Sequence, residues 1–255
     1  MKKMVGILEE NKVQKAEIPR LSKQVIDGFQ QLPDRAGLVA RAMDSLGISG
    51  TIPAAILSPV KPGGSVVGPA ITVRNIPERE VPYRYWERGG KTLLGEREAF
   101  FLAQQGDVVV IDGTAMFPAS CLGSMSVTLA GKLGVAGVVV SGAVTGVAGI
   151  RATDTPVWSL GGTTVTGHHR VETIEINGPI GIQGIRVDPG DLVVADDSGI
   201  SVVPSAWVEK VLERAQKMAQ LGSRFKTLLK EGADRETLRK ELADEMVAMM
   251  ESSVK

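Results

Sequence analysis

Aromatic residues make up only 4% of this 255-residue chain, cysteine occurs once, and neither sign of charge prevails. Each shortage excludes something. Cys121, standing alone, cannot form an intramolecular disulfide, which fits a reducing cytoplasm. Lys plus Arg and Asp plus Glu number 29 each, so the formal net charge is zero, and no block of Lys or Arg runs unbroken. A basic field for nucleic acid is therefore absent. No apolar run approaches the roughly twenty residues that cross a bilayer, so no membrane span is expected. The opening MKKMVGILEENK has neither the long apolar region nor the small-residue cleavage site of a secretory leader. A methyltransferase reading fails as well, because no Gly-rich nucleotide loop with a following acidic residue is present. What is abundant is apolar side chain, at 43%, enough for one large domain with or without terminal appendages.

That apolar content is concentrated around Gly106 to Gly146. Val108 to Ile111 is an unbroken β-branched run, as in a strand buried on both faces, and Val138 to Val140 is a second. Between them, Ser124 to Leu133 carries Met125, Val127, Leu129, Ala130 and Leu133 among small residues, and Gly134 stops what reads as a short helix. Gly123, Ser124, Met125 and Ser126 open that helix, where the first amides lack partners within it and suit a carboxylate or phosphate. The second strand runs out through Ser141, Gly142, Ala143, Val144, Thr145 and Gly146, small enough for a ligand or another backbone to come close. A binding hollow and a tight helix-on-sheet contact both fit this pattern.

Elsewhere the chain is punctuated in familiar ways. A helix is expected from about Leu21 to Gln31, ended by Leu32-Pro33, and another from Gly37 to Leu46. Ala70 to Arg74 alternates as a strand, and Glu96 to Gln105 reads as a helix feeding the Gly106 strand. The segment Asn75 to Lys91 holds Arg79, Arg84, Arg88, Tyr83, Tyr85 and Trp86, the mixture of a lid or an oligomer contact. Thr163 to Ile176 reads as one extended strand, which would put His168 and His169 on opposite faces and so not at one metal ion. Leu192 to Ala195 and Ile200 to Val203 flank Asp197-Ser198-Gly199 as a hairpin. Ser205 and Asp234 are expected to cap two closing helices, the second reaching about Met250. The division expected is residues 1–36 as a helical arm, 37–204 as a core domain and 205–255 as C-terminal helices.

Taken in order, Val67 to Val73, Gly106 to Gly113, the Gly123 helix, Gly137 to Val144, Ile150-Arg151 with Pro156-Val157, and Pro189 to Pro204 resemble the RraA-like family. That family includes the regulator of ribonuclease activity A and the metal-dependent 4-hydroxy-4-methyl-2-oxoglutarate aldolases. The resemblance implies an α/β fold of three β/β/α layers, swivelling-domain-like, with N- and C-terminal helices added. It also implies a homotrimer or homohexamer with sites near subunit boundaries, and a small carboxylate or oxo acid as substrate of a lyase. In the aldolases a carboxylate opens the central helix, and an Arg-Asp pair some twenty residues later grips substrate and helps hold a hydrated Mg or Mn. The matching positions here are Ser124, Thr145 and Gly146, and Ser141 stands where an acid usually precedes Gly142. The charged constellation is thus altered, which leaves a non-catalytic regulator acting through protein contacts as the second reading. Substrate-binding residues expected on this basis are Gly123, Ser124, Met125, Ser126, Ser141, Thr145 and Arg151, with Asp112 and Arg74 as charged neighbours. A relocated cation would come from Arg84 or Arg170, and a relocated acid from Glu172 or Asp196. On this resemblance, Ser124→Glu, Thr145→Arg and Gly146→Asp together are expected to confer or raise aldolase-type activity if the rest of the pocket is intact.

Overall fold

Valine strands apolar on both faces must be covered on both, and that requirement lays out the molecule. The computed structural model describes residues 8–14, 18–79, 86–87, 89–113 and 117–251, with side chains described as far as residue 243. Helices α1 (Lys23–Gln30) and α2 (Arg35–Ser45) are followed by strands β1 (Thr51–Pro53), β2 (Ser58–Pro59) and the long β3 (Val66–Pro77). Next come α3 (Glu96–Leu102), β4 (Val108–Asp112), β5 (Ser120–Gly123) and α4 (Ser124–Lys132). Strand β6 (Gly137–Thr145), the short helix α5 (Val147–Arg151) and β7 (Val157–Gly162) continue the alternation. Strands β8 (Val171–Ile176), β9 (Ile180–Ile182), β10 (Ile185–Val187), β11 (Leu192–Asp196) and β12 (Gly199–Val203) precede the closing helices α6 (Val208–Lys230) and α7 (Arg235–Glu251).

Ten strands form one curled sheet in the order β1-β12-β11-β3-β4-β6-β7-β2, with β5 added to β6 and β8 to β3. Strand β3 joins its two parts. Its first half pairs antiparallel with β11, its second half antiparallel with β8, and its centre parallel with β4. Strands β4, β6 and β7 carry the parallel part onward. On the outer face of that part Val109, Ile111, Val138 and Val140 pack with Phe100 of α3, Val127 and Ala130 of α4 and Ile150 of α5. The opposite residues Val108, Val110 and Val139 face Val193, Ala195, Ile200 and Val202 of the antiparallel part, with Trp158 among them. Phe29, Val39, Met43, Val211 and Ala215, from α1, α2 and α6, seal the remaining face over Leu192, Val194 and Val203. The result is the three-layer β/β/α arrangement with terminal helices.

Two local expectations change. Thr163 to Ile176 is not one strand: residues 167–170 form a turn, His169 has φ +55°, and regular pairing begins at Val171. The turn is anchored because Gly167 lies against Ser120, where an added Cβ would come within 2.0 Å of the Ser120 carbonyl oxygen. Ser205 does not cap a helix through its side chain. Its amide donates to the Asp191 carboxylate at 2.9 Å, a 3-10 turn follows, and α6 starts at Val208. Asp234 does cap α7, accepting from the Thr237 amide at 2.7 Å. Of the Asn75 to Lys91 segment, Tyr83, Arg84, Tyr85 and Arg88 lie outside the described residues, while Trp86 is 72% exposed.

Two glycines test how tightly the sheet is built. At Gly68 an added Cβ would stand 2.1 Å from the Gly106 carbonyl oxygen, so backbone must move, whereas at Gly37 in α2 it would meet nothing within 4 Å. Gly68→Ala is expected to destabilise by about 1–3 kcal/mol through overpacking, and Gly37→Ala to stabilise by about 0.5–1 kcal/mol through lost unfolded-state freedom. Urea unfolding of the two variants checks both signs.

Candidate functional site

A cleft of about 210 Å³ opens at the start of α4. Gly123, Ser124, Met125 and Ser126 line it, and Thr145 faces them from the end of β6. The placement follows from the sheet: β5 pairs parallel with β6, Gly123 opposite Thr145, so the helix leaving β5 begins beside the end of β6. Gly123 is extended and brings no side chain to cap the helix. Met125 is 75% exposed.

Ser141 and Arg151 stand elsewhere. Ser141 is buried on β6 and accepts from Gln183 Nε2 at 3.0 Å, and Arg151 donates through Nε to the Val60 carbonyl at 2.8 Å. Arg74, Glu172, Asp196 and Arg170 are not among the residues lining the cleft, although Arg170 reaches its edge through Thr166. Arg74 pairs with Glu175 at 3.2 Å, Glu172 with Lys12 at 3.0 Å, and Asp196 accepts from the Ala36 and Ser198 amides. Arg170 donates to the Thr166 carbonyl, and Arg84 lies outside the described residues.

The charged groups that do line the cleft are Glu96, Arg97 and His168. Glu96 and Arg97 begin α3, placed by Gly95, whose amide donates to Thr173 Oγ1 at 2.8 Å. His168 is delivered by the Gly167 turn pressed onto β5. Glu96 is only 7% exposed, Ser126 Oγ donates to its Oε1 at 2.8 Å, and Arg97 Nε donates to Ser126 Oγ at 3.1 Å. Burial pushes the Glu96 carboxyl above the ordinary range, and the Ser126 hydrogen bond, Arg97 and His168 offset this only in part. Cys121, a buried residue of the cleft lining on β5, has its thiol pushed up to about 12 by burial, with Glu96 and Asp112 adding to the rise. Periodicity gave no hint of this group, because its members come from three separate segments. The adjacent Glu96-Arg97 pair after a glycine was the one local signal.

The positions matched to the aldolase charges have closed up. A Cβ on Gly146 would lie 2.7 Å from Ser124 Oγ, one on Gly149 would lie 2.8 Å from Ser124 Cβ, and Gly146 has φ +72°. Among the described residues no group of three or more His, Cys, Asp or Glu is arranged to hold a metal ion. Gly146 itself brings no side-chain donor to the position where the resemblance places the metal-holding Asp. Simple restoration of Gly146→Asp meets Ser124 before it meets any ligand.

Comparison with known proteins places this geometry. The profile of the RraA-like family, Aldolase/RraA, matches residues 24–202. A putative 4-hydroxy-4-methyl-2-oxoglutarate aldolase of Halalkalibacterium halodurans is 30% identical over 192 residues, 75% of this chain and 82% of that one. The chain belongs to the RraA-like family. Protein DlpA of Legionella pneumophila is 26% identical over 233 residues, 91% of this chain but 35% of DlpA, so the chain spans about a third of that relative. The solved structure of Streptomyces coelicolor RraAS2, an unusual member of the RNase ES inhibitor RraA protein family, matches with TM-score 0.68 and 25% identity, covering 81% of this chain and 98% of that one. An uncharacterized protein from Pseudomonas syringae matches with TM-score 0.72, 25% identity and coverage of 87% and 99%. Among the described residues no helix is long and apolar enough to cross a membrane.

Two variants probe the site without a ligand. Gly146→Asp is expected to cost about 1–3 kcal/mol from the left-handed backbone and the Ser124 contact, read by thermal unfolding. Glu96 holds its proton longer when folded than when unfolded, so its contribution is best at low pH and is lost as pH rises from the ordinary Glu value to the raised one. Glu96→Gln is therefore expected to flatten part of the alkaline loss of stability while changing little below pH 4.5, as measured by denaturation at a series of pH values.

Proposed function

We propose that this protein is a small-acid enzyme of the RraA-like family, a lyase of the aldolase or decarboxylase type acting on an oxo acid through an altered constellation. The observation that supports it is the cleft at the start of α4, lined by Ser124, Ser126 and Thr145, with Arg97 and His168 added from outside the family's motif. Backbone amides and the positive end of α4 favour a carboxylate there, and a guanidinium can share two hydrogen bonds with it. The hydroxyls of Ser124 and Thr145 are placed to orient a neighbouring carbonyl or hydroxyl oxygen. Gly146 offers no side-chain donor to a metal, and the hydroxyls of Ser124 and Thr145 with the Arg97 guanidinium are the groups that would meet the acid.

A homotrimer or homohexamer is part of the same reading, supported by the exposure of two large apolar side chains, Met125 in the cleft lining at 75% and Phe117 at 57%. The regulator reading draws on Ser124, Thr145 and Gly146 standing where the family's charges would be, and on the exposed Trp86 as a contact for a protein partner. Titration with pyruvate and oxalate, with and without Mg or Mn, separates the two. Binding is expected in both conditions, weakened by Arg97→Ala at least about tenfold, the order of one charge-assisted hydrogen bond. Absence of binding by either acid in either condition, together with retention of a protein partner, would favour the regulator.

A further inference from the structure

Arg97 supplies the guanidinium of the cleft lining, on a long side chain with much rotamer freedom to lose. That side chain is 51% exposed, so packing alone does not hold it. Ser126 does. Its Oγ accepts from Arg97 Nε at 3.1 Å, and the serine, 2% exposed in the first turn of the nine-residue α4, is itself fixed in place. Arg97 Nε stands 3.8 Å from Glu96 Oε1, too far for a hydrogen bond, so the hydroxyl of Ser126 is the link between them.

The direction of the two bonds follows from the donors. A guanidinium only donates, so the serine keeps its own hydrogen for Glu96 Oε1, which receives it at 2.8 Å. With that hydrogen turned to Glu96, a lone pair of Oγ is left for Arg97. Among the described residues, both polar contacts of Arg97 run through Nε. The outer edge of the guanidinium, Nη1 and Nη2, is therefore uncommitted, and it is an edge that meets a carboxylate with two parallel hydrogen bonds.

We infer that Ser126 is a positioning residue for Arg97: it ties down Nε so that Nη1 and Nη2 meet the ligand's carboxylate as a preset fork. The inference rests on the reading of the cleft as an oxo-acid site. An exposed arginine free to turn would lose its rotamer freedom at the moment of binding, whereas one already anchored through Nε has lost much of it beforehand. Ser126 thus strengthens binding through Arg97 and without touching the acid. A lysine at position 97 would carry the charge but neither the fork nor the Nε–H that the serine holds.

Calorimetric titration of the full-length protein with oxalate and with pyruvate, repeated on Ser126→Ala, Arg97→Ala and the double variant, closes a cycle that tests this. Ser126→Ala alone is expected to weaken binding about threefold to tenfold, the order of re-ordering one long side chain. Once Arg97 is already Ala, the same change is expected to weaken it by less than about twofold. Arg97→Lys is expected to bind within about threefold of Arg97→Ala. A second measurement needs no ligand: the Arg97 Nε–H resonance in a proton–nitrogen correlation spectrum, identified by its loss in Arg97→Lys, is expected to exchange slowly with solvent and to exchange at least about tenfold faster in Ser126→Ala. Equal losses from Ser126→Ala in the two backgrounds, or an Nε–H that exchanges freely in the unaltered protein, overturn the inference and leave the oxo-acid reading standing. No binding of either acid by the unaltered protein overturns both. Should Ser126→Ala not fold, Ser126→Cys, nearly the same in shape but a poor acceptor, takes its place in the cycle with the same expected outcomes.

Discussion

Everything in this molecule follows from a parallel sheet that has to be dry on both faces. Val109 and Ile111 point one way from β4 while Val108 and Val110 point the other, and both sets are fully or almost fully buried. Helices cover one face, the antiparallel strands fold back over the other, and the terminal helices cover those in turn. What remains wet is the end of the sheet where β5 and β6 finish together at Gly123 and Thr145. In open α/β sheets that is where ligands bind, because helix starts and loops converge there and no side chain of the sheet itself can close it.

The charged groups at that end differ from those the family resemblance implies. A carboxylate and an Arg-Asp pair would have placed charge on α4 and at the end of β6, and these positions hold Ser124, Thr145 and Gly146 instead. Charge enters the cleft from the opposite wall, through Glu96 and Arg97 of α3 and His168 of the turn after β7. Ser126 links the two walls, accepting from Arg97 and donating to Glu96. On the proposed reading, with neutral hydroxyls near the helix start, the amide dipoles would be the main attraction for an anion and the Arg97 guanidinium would add a full positive charge.

The strands of this fold were legible because a strand buried on both faces writes itself as a short apolar run rich in β-branched residues, as in Val108 to Ile111 of β4, Val138 to Val140 of β6, Leu192 to Ala195 of β11 and, interrupted by Ser201, Ile200 to Val203 of β12. The hairpin of β11 and β12 was equally plain from Asp197-Ser198-Gly199, where Gly199 has φ +141° and pairs with Asp196. The hollow at Ser124 could be read from small residues at a helix start, yet its lining could not. Glu96 and His168 are seventy-two positions apart, and alternation through Thr163 to Ile176 suggested a strand that the Gly167 contact with Ser120 prevents. That contact joins two backbones, and no periodicity records it. Ser141 illustrates the converse: its place in a matched motif suggested a role, but strand alternation turns it to the opposite face of β6 from Val140, toward Gln183.

The close packing at the positions matched to the family's charges and the free volume beside α3 belong to one arrangement. Ser124 sits so close to Gly146 and Gly149 that a Cβ at either glycine would press on it at under 3 Å. A longer side chain at 124 cannot turn toward α5 while those backbones are there, and an acid at 146 cannot turn toward 124. The space that three charged side chains need has been given to backbone contact, which brings the starts of α4 and α5 together. With that side closed, the free volume beside the first turn of α4 is the volume next to α3 and the Gly167 turn, and the titratable groups found there are the ones a small acid would have to meet.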